Sequence, residues 1–197
     1  MKREELLYMI ASKGYDISYS ANRNFATYDI IKKYPKFVSI ITIVLGIVGL
    51  AYPETNFKCL SVVLLILGII TLYVENYGEH ADEYGKRGVD DTDRANRLKS
   101  LYYHVKDEKT DCDQARKEFD AIVKEFNDAS QPNQICFSDW YAHYKLFCQK
   151  DYHWMDEQLH FGTWKDKTPA SFKVVLYIAV VCAFFYFIGW VVKNLTL

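Results

Sequence analysis

The stretch FVSIITIVLGIVGLAY (residues 37–52) is followed, six residues later, by a second apolar run, CLSVVLLILGIITLYV (59–74). The first lies in a charge-free interval of seventeen residues and the second in one of sixteen. In lipid, every backbone N–H and C=O must be paired within the protein. Two runs this apolar therefore predict two helices that form a transmembrane hairpin over residues 36–75.

Each run is short for a bilayer. Sixteen residues of helix span about 24 Å, whereas the hydrocarbon layer is about 30 Å thick. Aromatic and lysine side chains at the ends of the runs can close this gap by reaching the headgroup layer. They are Tyr34, Lys36, Tyr52, Phe57, Lys58 and Tyr73. The alternative is a buried hairpin in a soluble protein, which two adjacent charge-free runs of this length disfavour.

A third apolar run, Val174 to Val192, contains nineteen uncharged residues between two lysines. It is long enough to cross a bilayer, and it predicts a C-terminal transmembrane helix over residues 173–193. Trp190 stands near its end, where an interfacial aromatic belt is expected. Two alternatives stay open for this run, since such a helix also suits the membrane surface or packing against protein.

The distribution of charge predicts the orientation. Residues 1–36 carry seven Lys/Arg and four Asp/Glu, whereas the hairpin loop carries one charge of each sign. The positive-inside rule then places the N-terminus and residues 76–172 in the cytoplasm and the loop outside. No secretory signal is predicted, because the first apolar stretch is too short. Five cysteines without a CxxC motif suit a reducing compartment.

The polar segments predict cytoplasmic helices. In residues 1–35, one helix is expected to end at Gly14, and a second is expected to run from about residue 17 to the helix breaker Pro35. In residues 76–172, the second span is expected to continue to about residue 109, with an apolar stripe formed by Leu98, Leu101, Tyr102 and Val105. A helix with a regular apolar stripe (111–128) and an aromatic-rich helix (136–160) follow. The fold class is thus an all-α membrane protein with a transmembrane hairpin, a cytoplasmic helical bundle and a C-terminal hydrophobic helix.

Small and hydroxylated residues mark one face of each hairpin helix. On the first they fall within about 80° of arc at 100° per residue. Such faces let helices approach closely, and they also suit an aqueous path in an oligomer. Both interpretations stay open. The candidate residues for this pore or helix-packing face are Ser39, Thr42, Gly46, Gly49, Ser61, Gly68 and Thr71.

Aromatic residues on the cytoplasmic helices are the second group of candidates. A helix that is apolar around much of its circumference is usually central to a bundle or an interface. The candidates for assembly are Phe25, Tyr28, Trp140, Tyr141, Tyr144, Phe147 and Trp154.

Several function classes are disfavoured. No Asp, Glu, Lys, Arg or His lies inside the three apolar runs, which argues against a proton relay, a coupled transporter or an intramembrane enzyme. Residues 76–172 carry fourteen basic and nineteen acidic residues, so direct nucleic-acid binding is not expected. The histidines and cysteines of 136–160 match no familiar zinc pattern. No catalytic motif, metal site or cofactor is predicted.

Three strings carry a resemblance to a known family: NFATYDI (24–30), FSDWYAHYKLF (137–147) and DEQLHF (156–161). With the hairpin and the charged, aromatic helices around it, the chain resembles the SLATT domains, bacterial two-transmembrane effectors associated with nucleotide-signalling defence systems. The resemblance runs from about residue 6 to about residue 172. The third apolar run departs from the two-span pattern.

The resemblance implies a pore-forming or membrane-disrupting effector of an anti-phage, abortive-infection system, acting as a homo-oligomer in the bacterial inner membrane. It implies as partner an enzyme that makes a nucleotide second messenger, the product of that enzyme, or a reverse transcriptase. It carries over no catalytic residue. The alternative is a membrane-tethered cytoplasmic sensor or scaffold without pore activity.

Overall fold

A computed structural model of the chain describes residues 2–51, 57–108, 111–129 and 133–195. The structure is 85% helical and without strands in these residues, which confirms the all-α prediction. The described α-helices, in chain order, are α1 (Arg3–Ala51), α2 (Phe57–Glu75), α3 (Ala81–Lys106), α4 (Cys112–Asn127), α5 (Ser138–Tyr144), α6 (His153–Leu159) and α7 (Ala170–Leu195). Predictions for Tyr52, the hairpin loop and the Trp190 side chain lie outside what is described.

Helix α1 is a single helix of 49 residues, about 73 Å long. The predictions that helices end at Gly14 and at Pro35 were therefore wrong. Pro35 removes one backbone donor from the helix interior, which ordinarily kinks or breaks it. Here Ile31 and Val38 are buried on either side of it, and such packing outweighs local propensity.

Helices α1 and α2 pack against each other as the predicted hairpin. The residues shielded by this contact recur at three- and four-residue spacing, as in packed antiparallel helices. On α1 they are Val38, Ile41, Leu45 and Gly49, and on α2 they are Leu60, Leu64, Leu67, Thr71 and Val74. The rest of the hairpin surface is exposed, with large side chains such as Leu50 and Leu65 pointing outward.

The first half of α1 packs against α3, and helices α4, α5 and α6 cover this pair. The predicted apolar stripes of α3 and α4 are confirmed, since Leu98, Val105 and Ile122 are all fully buried. The expected continuity of α2 with α3 was wrong. A turn and a short 3₁₀ helix, Gly78–His80, separate them, so that α3 can fold back along α1.

The aromatic segment 136–160 is not the single helix expected from its composition. It consists of α5, a π-helical stretch from Lys145 to Gln149, and α6. Lys150 is extended, with ψ of 155°, and the Asp151 carboxylate accepts a hydrogen bond from the His153 backbone N–H. This capping contact starts a new helix after the break.

A second compact unit begins at His160 and includes α7. Its first turn is closed by the Asp166 carboxylate, which accepts a hydrogen bond from the Gly162 backbone N–H at 2.9 Å. Lys173 lies over the Trp164 ring, 6.0 Å from its centroid. Helix α7 follows. By length and composition it is a third helix that could cross a membrane, and its apolar side chains over Ala170–Ile188 are exposed or half-buried.

Candidate functional site

The small residues of the hairpin divide between two faces. Gly49 and Thr71 belong to the contact between α1 and α2, whereas the other five are exposed on the outside of the hairpin. A Cβ added to Gly46 or to Gly68 would meet no neighbouring atom within 4 Å. These positions therefore leave a smooth outer surface that the chain itself does not fill.

Hydroxyl groups on this hairpin are partly satisfied by their own helices. The Ser39 hydroxyl donates to the Pro35 carbonyl at 2.9 Å, and the Thr71 hydroxyl donates to the Leu67 carbonyl at 2.8 Å. Such bonds to the preceding turn let a hydroxyl sit in lipid or against another helix without a further partner. The small face therefore suits close helix packing as well as contact with water.

A buried carboxylate lies in the interior of the helical bundle formed by α1 and α3–α6. Asp91 on α3 is 0% exposed, and it accepts hydrogen bonds from the Ser20 hydroxyl and from Arg94, each at 2.8 Å. Arg87 lies one helical turn away on the other side, with its Nε 3.9 Å from the Asp91 carboxylate. Asp91 thus pairs with two arginines of its own helix, and through Ser20 it is linked to the first half of α1.

An amide network extends these buried polar contacts toward the hairpin. The whole set is called the polar seam and consists of Ser20, Asn24, Thr27, Arg87, Asp91, Arg94 and Gln134. Asn24 is fully buried, and its side-chain carbonyl accepts a hydrogen bond from the Gln134 amide at 2.9 Å. The Thr27 hydroxyl donates to the Gln134 side-chain carbonyl at 2.6 Å. Because buried polar groups are costly unless they are paired, this network fixes the position of the segment before α5 on α1.

Asp29 joins α1 to the π-helical stretch. Its carboxylate lies 2.5 Å from the Lys145 ammonium and 2.7 Å from the Lys33 ammonium. Burial raises the pKa of Asp29, but the hydrogen bonds from the two lysines outweigh burial and hold this pKa below its ordinary value. Asp139 on α5, six residues before Lys145, makes a comparable link to α1, since its carboxylate lies 2.7 Å from Arg23.

The end of α2 is fastened to the residues just before α5. The backbone N–H of Cys136 donates to the Tyr73 hydroxyl at 3.2 Å. The Tyr84 hydroxyl donates to the Asn133 carbonyl, and Ile135 is buried in one apolar cluster with Val74. These contacts connect the segment before α5 directly to the end of the second apolar helix.

A hydrogen bond also links the last turn of α2 to the turn that follows it. This bond, from Tyr77 to Tyr73, is the main cause that raises the pKa of Tyr77 to about 12, and burial adds to it. The two rings meet edge to face, with centroids 5.6 Å apart. Tyr77 therefore stays protonated throughout the physiological range.

Three of the aromatic residues predicted for assembly are engaged within the chain. Trp154 is 3% exposed and packs on Tyr102, with ring centroids 5.4 Å apart. Phe25 lies against Gly88, where an added Cβ would come within 2.8 Å of its ring. Tyr28 lies in the same way against Gly85, at 3.2 Å.

The other four are carried by α5 and the π-helical stretch. Tyr144 is 53% exposed, and Trp140 and Tyr141 are half-buried. Phe147 is also half-buried and contacts Tyr15 of α1, with centroids 6.4 Å apart. The structure thus gathers Trp140, Tyr141 and Tyr144 on one helix, separate from the hairpin face and from Trp154.

The described residues contain no group of three or more His, Cys, Asp or Glu side chains that could hold a metal ion. His143 packs instead between Tyr19 and Phe147. A cleft of about 210 Å³ opens between α1, α3 and α6, with Asn96 and Lys99 in its lining. Lys99 is paired with Asp151 at 2.7 Å, and the lining includes neither His nor Cys.

Sequence reasoning missed the polar seam. Its residues are spread over α1, α3 and the segment before α5, so no spacing along the chain reveals them. A signal was nevertheless present, because the string NFATYDI contains Asn24 and Thr27. Polar residues at buried helical positions are the feature that could have identified the seam.

An apolar hairpin, one of whose helices continues into a helical bundle with buried polar contacts, defines an α-helical membrane protein. The chain belongs to the family described as SMODS and SLOG-associating 2TM effector domain 6, a SLATT domain whose family model matches residues 1–176. This membership makes it a two-transmembrane effector of bacterial defence systems. No curated protein and no solved structure matches the chain. The family match ends within α7.

Proposed function

We propose that this chain is a non-enzymatic effector that disrupts the bacterial inner membrane by assembling as a homo-oligomer with a pore. The observation that carries the proposal is the outer face of the hairpin. Ser39, Thr42 and Gly46 on α1, with Ser61 and Gly68 on α2, are exposed and lie outside the contact between the two helices. In lipid, small residues of this kind drive close approach between helices.

Oligomerisation gives this surface a partner. Neighbouring hairpins that pack through their small faces bury Gly46 and Gly68 against each other, and a ring of such contacts encloses a lumen. The spans contain no Asp, Glu, Lys, Arg or His. A lumen lined by small and apolar groups conducts when it is wide enough to stay wet and closes by dewetting.

The cytoplasmic bundle is the proposed control element. Helix α1 is continuous from the bundle to the membrane, and the Tyr73–Cys136 hydrogen bond fastens α2 to the same bundle. A trigger that binds two arrangements of the bundle differently shifts the population of the hairpin states. The proposed trigger is a nucleotide-signalling enzyme, its product or a reverse transcriptase, and the outcome is abortive infection.

The proposed topology follows the positive-inside rule, with the N-terminus and residues 76–172 in the cytoplasm. In this arrangement α7 crosses the membrane as residues 173–193, and the C-terminus lies outside. Reporter fusions at the two termini test the topology. A C-terminal fusion active only in the cytoplasm would show that α7 does not cross.

The second candidate function is a membrane-tethered sensor or scaffold, which the extensive cytoplasmic bundle would also suit. Purified protein in liposomes loaded with a self-quenching dye separates the two functions. We expect release of the dye above the level of empty liposomes, together with depolarisation of cells that overexpress the protein. Tight liposomes and polarised cells, with insertion verified by flotation, would support the tether and overturn the pore.

A further inference from the structure

An aromatic side chain is held at the surface of the bundle in a strained backbone conformation. Phe137, directly before α5, has φ of 67° and ψ of −2°, in the left-handed region that bulky residues rarely adopt. Its side chain is 65% exposed. Such strain persists only where the surrounding structure enforces it, and a ring exposed to water gains no burial in return.

Helix α5 continues this surface with one exposed aromatic residue, Tyr144, and two half-buried ones, Trp140 and Tyr141. Ser138 and Ala142 face the bundle and are buried, while Phe137, Trp140, Tyr141 and Tyr144 occupy the other side. Trp140 meets Phe137 edge to face at 5.3 Å, and Tyr144 stacks on Tyr141 at 6.4 Å. We call these four residues the α5 aromatic face. Tyrosine and tryptophan rings with one polar atom are the side chains that concentrate at membrane–water interfaces.

The α5 aromatic face lies at the level where the membrane helices meet the bundle. Cys136, next to Phe137, bonds the Tyr73 hydroxyl in the last turns of α2. Tyr141 lines one groove of about 320 Å³ together with Phe37, the first residue of the apolar run of α1. The face is therefore continuous with the apolar surface of the hairpin.

The charges beside this face are compatible with a bilayer surface. Lys33 and Lys36 are exposed on the adjoining turn of α1, and Lys145 lies 4.7 Å from the Tyr141 ring centroid. The nearby carboxylates of Asp29 and Asp139 are neutralised by Lys145, Lys33 and Arg23. Neither of these two carboxylates therefore presents an unpaired negative charge to lipid phosphates.

We propose that the α5 aromatic face is embedded in the headgroup layer of the bilayer, on the leaflet where α1 enters and α2 leaves. The occupant is a glycerophospholipid surface, and α5 acts as an interfacial anchor that holds the bundle against the membrane. The inference requires insertion of the hairpin and is independent of pore activity. The alternative is that a second copy of the chain covers the α5 aromatic face. The sequence-based prediction that Trp140, Tyr141 and Tyr144 take part in assembly corresponds to this alternative.

Photo-crosslinking distinguishes these occupants in the full-length protein. Phe137→p-benzoylphenylalanine places a photoreactive ring on the face, and Tyr144→p-benzoylphenylalanine provides a second position should the first disturb folding. The control is Tyr8→p-benzoylphenylalanine, since Tyr8 is 53% exposed but lies on α1 about 43 Å before Phe37.

The variants are irradiated in phosphatidylethanolamine–phosphatidylglycerol vesicles and analysed by intact mass and gel electrophoresis. We expect lipid adducts at positions 137 and 144, at least several-fold more than at position 8. Covalent dimers in place of lipid adducts would assign the face to a second copy. Absence of both adducts at 137 and 144, with insertion verified, would show a water-facing surface. Either result overturns the proposal.

Discussion

Gly14 of α1 and Trp154 of α6 are packed so closely that a Cβ on Gly14 would lie 2.3 Å from Cη2 of the indole. The absence of a side chain at Gly14 therefore lets the buried Trp154 indole pack directly against the backbone of α1. The conformational freedom of glycine is not used there, since α1 keeps its helical course. This contact fastens α6 to the first half of α1.

We predict that Gly14→Ala destabilises the protein. The added methyl group forces a buried indole to move, and overpacking of this kind costs about 1–3 kcal/mol. Thermal unfolding of the purified protein in detergent should show a lower midpoint. Gly68→Ala is the matched control, because no atom lies within 4 Å of its Cβ position and alanine favours a helix. Equal midpoints for the two variants would contradict the packing argument.

Asp91→Asn is predicted to weaken the bundle strongly. The substitution keeps the shape of the side chain but leaves Arg87 and Arg94, whose side chains are 15% and 16% exposed, without their shared counter-charge. Breaking a buried ion pair on one side costs about 3 kcal/mol or more. Asp93→Asn, at an exposed position of the same helix, should change the unfolding midpoint little. A larger decrease in the unfolding midpoint for Asp93→Asn than for Asp91→Asn would show that the buried ion pairs of Asp91 do not stabilise the bundle.

Asp29→Asn should produce a pH-dependent loss of stability. The folded-state pKa of Asp29 lies below its ordinary value of 3.8. The stabilisation by the charged carboxylate is therefore complete above that ordinary value, and it is lost as the pH falls through the folded-state pKa. The free energy of unfolding of the variant should be lower than that of wild type by about 1.5–3 kcal/mol, and this difference should be constant from pH 8 to about pH 5. Below about pH 4 the difference should become smaller as the pH falls.

The control for this titration is Asp82→Asn. Asp82 pairs with Lys32 at 3.2 Å, but its side chain is 88% exposed, and such surface pairs contribute about 0–1 kcal/mol. Its unfolding curves should follow wild type at every pH. A difference for Asp29→Asn that persists unchanged at pH 3 would show that the carboxylate charge is not the cause.

Gly46→Leu and Gly68→Leu are predicted to abolish membrane leakage while insertion continues. A leucine at either position fills the surface through which the hairpins are proposed to pack. The control is Ala51→Leu, which adds similar bulk to an exposed position of α1 about 160° away from the small face. Dye release and sedimentation of the oligomer are measured together. Leakage that survives in all three variants would exclude the small face from the pore.

The class of the protein could be predicted from the sequence because its signals are local. Two charge-free runs predicted the hairpin, and apolar spacing predicted the buried stripes of α3 and α4. The residues that form the contact between α1 and α2 could not be predicted. Gly46 and Gly49 lie close together on one helix, and only the position of α2 shows that Gly49 is in the contact and that Gly46 is exposed. The polar seam was missed because its members come together only across three segments.

The sequence by itself determined that the chain is helical, that three of its helices suit a bilayer, and that its polar helices have apolar faces. These properties follow from run length, period and charge, which each segment carries alone. Only the tertiary structure decided that α1 continues through Gly14 and Pro35, that segment 136–160 is divided, and that Asp91 lies in the core. Each of these depends on contacts with distant residues, whose packing and charge outweigh local preference.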